Sequence, residues 1–577
     1  MALHTLLYCP PLARSEPPLL NLNGSLTPLA VVLSAQQQHS AAQLISLWQQ
    51  HRVSRYNRYP DATALAAVFV LLVLQQGQAL ALSRQMLQFA VAQAKKQPVC
   101  EVLVCDDMHK AVPAALLSEF AACGVAIKAA ENVHHAMLLA NSHAVITADS
   151  WLGFEALLWQ KSVFTFGTPF YANLGLTTDC QPGHSSGEHS AGPVSLDTLV
   201  HHVLIQHSQA NDMESGLAIT AAQAITWLGL QRQQRSRYAT TLYAIGFNYH
   251  WRSSVNAFLQ GRDIIFVRKP QQVPVNSQAV IWGRRDVSAQ LQPNVSLLRL
   301  EDGFLRSVGL GAQFVKPLSW VIDDTGLYFD ATAPSALEQL LAQHPLDAPL
   351  QARAQQLINQ LVQHGISKYN TGAQQWQRPD TDKKIILVPG QVESDASIKF
   401  GAPGIKTNIA LLQAVRTANP NAYIIYKPHP DVQAGARAAG LNEHTASKFC
   451  DQLADNVNIA VLLANCDEVH VLTSLAGFEA LLRGKTVHCY GLPFYAGWGL
   501  TQDSCQCPRR QRKLNLAQLV AATLVLYPFY VSSSSGYYTT PEHTLRQLLH
   551  WRAQPVPFKQ KLNNKIRALI NLIRGAK

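Results

Sequence analysis

The chain is short of charge: only 14% of its 577 residues are Asp, Glu, Lys or Arg, against about a quarter in ordinary globular proteins. Hydrophobic residues make up 48%, so a disordered chain, which needs the opposite balance, is excluded. There is no CxxC pair. Ten cysteines are scattered, with only Cys505 and Cys507 close together, and reduced thiols in a reducing cytosol are the expectation. No His/Cys/Asp group has metal-ligand spacing, so no cofactor or metal is expected. Long apolar runs are missing too. The most apolar stretch, 62–74, is 13 residues with a threonine inside it, whereas a spanning helix needs about 20. The N-terminal MALHTLLYCPPLARSEPP has no charged n-region and is broken by prolines. These absences describe a cytoplasmic protein, soluble or peripheral to a membrane.

What is present begins with length, which argues for three or four compact units. The formal charge of +11 suits an anionic partner without choosing among nucleotide, phospholipid surface and acidic polymer. The aromatics are not interleaved with basic residues in a stripe, which sets nucleic acid aside.

An internal repeat organises the chain. Residues 148–179, ADSWLGFEALLWQKSVFTFGTPFYANLGLTTD, match residues 472–503, LTSLAGFEALLRGKTVHCYGLPFYAGWGLTQD, at a constant shift of 324 without a gap. Weaker echoes flank it: AAQLISLWQQHRVSRYN (41–57) with AQQLINQLVQHGISKYN (354–370), and SGLAITAAQAITWL (215–228) with SGYYTTPEHTLRQLL (535–549). Two homologous modules are joined in tandem. The second has roughly 120 residues before its shared helix and the first about 40, so the first reads as truncated.

In the second module TLYAIGF, DIIFVRK, AVIWG and WVIDD read as buried parallel strands, followed after a helix around 346–364 by KIILVPG, AYIIYKPHP, EVHVL and TVHCYG. The expected fold is α/β and GT-B-like: paired Rossmann-like domains in the second module plus a partial N-terminal repeat module. The expected boundaries are 1–235 for the degenerate module, 236–370 and 371–550 for the two Rossmann-like domains, and 551–577 for a basic C-terminal helix. Ligands of such sheets bind beyond the carboxyl ends of the strands.

Four constellations fall at those ends. Glu301-Asp302-Gly303 follows VSLLRL, with Gly303 permitting a tight turn, and Arg306 with SVGLGA suggests an anion-binding loop. A capped surface turn is the alternative. Lys427-Pro428-His429-Pro430 clamps a histidine between prolines beside a lysine, a candidate for holding a phosphate. Ser474 takes an N-cap position before LAGFEALLRGK, and Glu479 lies one and a half turns on, within reach of ribose hydroxyls or simply on a solvated face. Gln391 and Glu393 sit on a glycine-containing loop that either reaches a donor sugar or only connects two elements.

In this order, EDGFLRSVGLG, DDTGLYFD, LVPGQVESD, YKPHPD and GFEALLRGKTVHCYGLPFYAGWGLT resemble the capsule polysaccharide β-Kdo transferases of the KpsC type, over nearly all of 238–550 and in degraded form over 35–230. The resemblance implies a retaining glycosyltransferase that uses CMP-β-Kdo to extend the poly-Kdo linker of a lipid-anchored capsular polysaccharide. The alternatives are another CMP-sugar transferase or a non-catalytic member of a capsule assembly complex. It further implies Asp302 as nucleophile, Glu301 orienting it or moving a proton, and His429, Lys427 and Ser474 on the departing phosphate. Glu479 would take the ribose, Gln391 and Glu393 the substrate, and Arg306 the Kdo carboxylate. The implied partners are CMP-Kdo, a Kdo-terminated phosphatidylglycerol-type glycolipid and other capsule biosynthesis and export proteins. One departure stands out: the first module has no EDG loop and reads VCDDMHK where the second reads YKPHPD, keeping only the Ser150/Glu155 frame. It reads as catalytically dead. From Phe558 onward six basic and no acidic residues are expected to share a helix with one apolar face, which suits an anionic inner leaflet; a helix packed back on the domain with a solvated basic edge is the alternative.

Overall fold

The computed structural model describes residues 5–9, 18–22, 32–59, 65, 68–98, 100–180, 194–307, 316–368, 375–435 and 437–554. The basic tail and the loop residues 308–312 lie outside the described residues. The chain forms two compact units, Met1–Tyr238 and Ala239–Lys577.

The second unit holds two sheets. In the first, Asp263–Val267, Thr241–Ile245, Gln278–Trp282 and Ser296–Asp302 run parallel in that spatial order. The stretch read as a further parallel strand, Ser319–Asp323, is instead antiparallel to Ser296–Asp302. The Gly303 amide bonds the Ser319 carbonyl and the Leu318 amide bonds the Arg306 carbonyl, so the chain doubles back as a hairpin with no crossover to restore a parallel sense. Pro528–Val531 then adds antiparallel to Ser319–Asp323, and Tyr538–Thr539 closes that edge. The C-terminal part of the span 371–550 therefore belongs to the first sheet, since its backbone groups complete that sheet's ladder.

The second sheet is parallel throughout, in the order Gln452–Leu453, Tyr423–Lys427, Ile385–Pro389, Glu468–Val471, Thr486–Cys489, Gln502–Asp503. Its central strand Ile385–Pro389 is buried along its whole length, the continuous apolar run expected of a parallel strand covered on both faces. Helix Ala348–Gln363 starts at an Asp347 cap accepting from the Leu350 amide at 3.1 Å. It buries Ala354, Leu357, Ile358 and Leu361, one face at helical spacing. From its end the chain passes into the second sheet. Two Rossmann-like domains thus share a cleft at the carboxyl ends of their strands, the GT-B arrangement.

The first unit carries a six-stranded parallel sheet ordered Ile127–Ala129, Glu101–Asp106, Phe69–Leu74, Ala144–Thr147, Ser162–Thr165, Thr178–Asp179, a strand-for-strand copy of the second sheet. Beside it lie Thr5–Tyr8, Pro18–Leu22, Ser208–Asn211 and Ala218–Ile219, all antiparallel. These copy the last four strands of the seven-stranded sheet in order and sense. Its three preceding parallel strands have no counterpart among the described residues of this unit. Among the described residues no helix is long and apolar enough to cross a membrane.

Candidate functional site

The second unit's cleft encloses about 920 Å³ and is lined by Trp282, Glu301, Asp302 and Tyr328 on the first-domain side and by Gln391, Lys427, His429 and Ser474 on the other. Glu301 and Asp302 are the last two residues of the strand Ser296–Asp302, not part of a turn after it. Gly303 is required by proximity, because a Cβ there would lie 2.4 Å from Ser319 Oγ. The glycine lets the hairpin close under the carboxylates, which is a different job from the turn expected of it.

Asp302 Oδ2 accepts from Arg306 Nε at 2.6 Å, while Oδ1 is buried with no hydrogen-bond partner among the described residues. Arg306 is 1% exposed, donates from Nη1 to Ser307 Oγ at 3.0 Å and does not line the cleft. Its partner is Asp302, not a substrate carboxylate; the i,i+4 spacing folds the guanidinium back under the strand end. Glu301 is different again. Burial and the neighbouring charge of Asp302 push its carboxyl up to about 7, so near neutrality it exchanges a proton readily.

Across the cleft, Lys427 ends the strand Tyr423–Lys427 and is 7% exposed; burial holds its ammonium below the ordinary lysine value. His429 accepts the Asp431 amide on Nδ1 at 3.2 Å. With Nδ1 an acceptor, a neutral ring carries its proton on Nε2, and burial lowers the histidine's pKa, which keeps the ring neutral. Ser474 caps helix Leu475–Leu482, its Oγ accepting from the Ala476 amide at 3.2 Å. Gln391 locks the preceding residue by accepting from the Thr473 amide at 2.9 Å and donating to Thr473 Oγ1 at 3.1 Å. It shapes the serine turn.

Two expected ligands have other work. Both oxygens of Glu393 are taken by backbone amides, Asn408 at 2.7 Å and Leu441 at 2.8 Å, and the residue is not part of the lining. Glu479 does line the cleft, but it is 7% exposed, so the solvated face is excluded. Its Oε1 accepts the Lys368 amide at 2.9 Å, which anchors the segment leaving the inter-domain helix.

The first unit shows why this frame repeats. Glu155 accepts the Arg55 amide at 2.8 Å and Ser54 Oγ at 2.6 Å, and Ser54-Arg55 is the echo of Ser367-Lys368. Gly153 and Gly477 repeat for a similar reason: a Cβ at either would lie 2.0 or 2.2 Å from the hydroxyl of Tyr171 or Tyr495. Those hydroxyls donate to the carbonyls of Ser150 and Ser474. Much of the repeated frame is scaffold. What differs is charge: strand register sets Cys105 and Asp107 in the places of Lys427 and His429. Where the second unit has a lysine and a histidine, the first has a thiol and a carboxylate.

A test of Glu479 follows. Glu479→Ala leaves a buried amide unsatisfied, a loss of about 1–3 kcal/mol, and is expected to lower the unfolding temperature of the second unit by a few degrees. Glu155→Ala is expected to do the same to the first unit while leaving turnover within a few-fold. Unchanged melting of Glu479→Ala with only a raised donor KM would make this carboxylate a ribose ligand instead.

Lys368 was not evident from sequence, although it lines the cleft and its charge is felt at Glu301, His429 and Glu479. The echo at 354–370 marks its segment; only the fold brings that segment to the carboxylates. The structure also gathers Glu468, His470 and His488, against the expectation of no metal-spaced group, because paired strands join residues that sequence spacing keeps apart.

A family model described as capsule polysaccharide biosynthesis protein matches residues 104–209 and 280–530. The capsule polysaccharide modification protein LipA of Neisseria meningitidis serogroup A is 43% identical over 414 residues, covering 70% of this chain and 59% of LipA, so the chain spans under two thirds of that relative's length. Two solved structures from Thermosulfurimonas dismutans KpsC each cover 54% of this chain and 99% of their own. The beta Kdo 2,7 transferase is 41% identical with a TM-score of 0.46, and the beta Kdo 2,4 transferase 31% identical with a TM-score of 0.49.

Proposed function

The chain belongs to the family of capsule polysaccharide biosynthesis proteins, and from that membership we propose that its second unit is a glycosyltransferase. It takes Kdo from CMP-β-Kdo, transfers it with retention to a Kdo-terminated glycolipid and extends a capsular linker. The observation that carries this reading is the polarity of the cleft. An arginine-paired carboxylate, Asp302, sits on one wall and the basic pair Lys427 and His429 lines the other. A sugar nucleotide lying across it would present its anomeric carbon to the first wall and its phosphate to the second.

Retention is then accounted for by two displacements. Asp302 attacks the anomeric carbon; the bond to the phosphate oxygen breaks, and CMP leaves with the electron pair. Lys427, the Nε2 proton of His429 and the N-terminal amides of helix Leu475–Leu482 receive the phosphate charge. In the second step an acceptor hydroxyl attacks the anomeric carbon of the glycosyl-Asp302 intermediate, the bond to the Asp302 oxygen breaks to return the carboxylate, and the hydroxyl proton passes to Glu301, whose affinity near 7 suits a general base. Every step is assigned to side chains and backbone amides of this unit.

The deciding experiment incubates the full chain with CMP-Kdo and a short Kdo-lipid acceptor analogue and determines the anomeric form and position of the new linkage. A single β-Kdo linkage is expected. An α product, or faster transfer from CMP-sialic acid, would overturn the donor or the stereochemical assignment. The first unit is proposed to be inactive, with Ser150→Ala expected to leave turnover within a few-fold. A loss matching that of Ser474→Ala would refute it. A membrane-surface role for the tail would be tested by removing residues 558–577 and measuring binding to anionic vesicles at low salt.

A further inference from the structure

On the flank of the second sheet, outside the cleft lining, two adjacent parallel strands bring three donor groups together. His470 pairs with His488 and Glu468 with Thr486. Glu468 Oε2 lies 3.4 Å from His470 Nε2 and 3.5 Å from His488 Nε2. These separations are long for hydrogen bonds, which favour 2.7–3.2 Å. They match the edge of a tetrahedron of donors about 2.1 Å from a central ion, roughly 3.4 Å. His488 Nε2 is a buried polar atom without a hydrogen-bond partner, and His470 is 1% exposed. The carboxylate's other oxygen, Oε1, is engaged by Lys384 Nζ at 2.8 Å, which orients Glu468 and leaves Oε2 toward the imidazoles.

The internal repeat supplies the control. The same strand positions in the first unit, at the shift of 324, are Ala144, Ile146 and Phe164. The fold itself asks for apolar residues there. A carboxylate and two histidines, His470 buried and the other two partly buried, stand at positions where the first unit has alanine, isoleucine and phenylalanine, an arrangement with a desolvation cost and only the long 3.4 and 3.5 Å contacts among the three.

We propose that Glu468, His470 and His488 form a binding site for a divalent transition metal of the zinc class. One carboxylate and two imidazoles suit Zn²⁺ or Co²⁺ over the hard cations, which prefer all-oxygen sets. The rings stack with centroids 4.1 Å apart and planes 12° from parallel. The consequence is structural: the strand Glu468–Val471 leads into Thr473 and Ser474, and Thr486–Cys489 leads into Pro493 and Phe494, all four lining the cleft. An ion bridging these strands steadies both ends at the phosphate wall without touching substrate.

The test uses the full chain, stripped with a chelator and titrated with Co²⁺ alone. One equivalent is expected to bind with the visible absorption of a tetrahedral cobalt–nitrogen site, and Zn²⁺ is expected to displace it and raise the unfolding temperature. The double variant His470→Ile, His488→Phe installs the residues the first unit already accommodates, so it is expected to fold, shown by unchanged circular dichroism, and to lose that equivalent. Glu468→Gln, a milder change, is expected to weaken Co²⁺ binding by about 10-fold or more. Absence of a stoichiometric Co²⁺ spectrum, or an unaltered spectrum in the double variant, would overturn the proposal.

Discussion

Asp302→Asn is expected to lower Kdo transfer on the order of 10⁴-fold while leaving CMP affinity within a few-fold. The size follows from removing the only atom in the proposed mechanism that forms the intermediate bond. CMP affinity is the internal control, because the nucleotide contacts are assigned to the opposite wall, at Lys427, His429 and Ser474. The substitution also leaves Arg306, 1% exposed, without its ion-pair partner; an unpaired buried charge is costly, so retained CMP binding doubles as proof of folding. Glu301→Gln separates the two half-reactions. It should slow the second displacement about 10²-fold and spare the first, so that intact-mass analysis with donor alone shows a Kdo adduct on this variant. Full activity in Asp302→Asn, with no adduct on either protein, would refute the covalent mechanism and leave Asp395, which lines the cleft, as the next carboxylate to test.

Glu301 adds a pH signature. Its carboxyl is raised above the ordinary glutamate value, to about 7. A raised acid contributes stability that is complete below the ordinary carboxylate range and is lost as pH rises through about 7. Activity, which needs the ionised base, should rise over that same window. Glu301→Gln should therefore melt higher than the wild type at pH 8.5 but not at pH 4, and its residual activity should lose the rising limb.

The sequence carried the architecture because the signals were redundant. Parallel strands in the second sheet are uninterrupted apolar runs, and the 324-residue repeat doubled the information on each element. Ser319–Asp323 escaped because a buried strand reads alike in either direction; its sense is set by the Gly303–Ser319 backbone bond, which has no signature in composition. Motif spacing correctly brought Glu301, Asp302, Lys427, His429 and Ser474 to one cleft. It did not show that Glu393 and Arg306 stand outside the lining, because a charged side chain beside a site looks the same whether it faces ligand or backbone, and here backbone amides or Asp302 claim both; Glu479 lines the cleft while its Oε1 accepts the Lys368 amide. Lys368 and the Glu468–His470–His488 group were illegible for another reason: both arise from neighbours that only folding creates.

The largest effect on nucleotide handling is expected at His429. His429→Asn is the informative change, since Asn Oδ1 can go on accepting the Asp431 amide that Nδ1 now accepts at 3.2 Å, keeping the turn while removing the Nε2 donor. If that donor stabilises the phosphate as the glycosyl bond breaks, kcat should fall about 10²–10³-fold, the scale for losing one preorganised donor to developing charge. Affinity for the intact donor CMP-Kdo should fall less, because the leaving monophosphate carries more charge than the ground-state diester. His429→Asp goes further by installing the residue the first unit carries, Asp107, whose carboxyl is itself pushed up to about 6 by burial and by Asp106. With Lys427→Cys it recreates the first unit's Cys105/Asp107 pair on an otherwise intact second unit. That double variant is expected to abolish CMP binding measured by calorimetry while preserving the fold, since the same pair is accommodated on the matching strand end of the first unit. Retained CMP affinity would show that the inverted charge is not what would keep the first unit from binding nucleotide. The cause would then lie in the other wall, where strand pairing sets Thr5 in the place of Asp302.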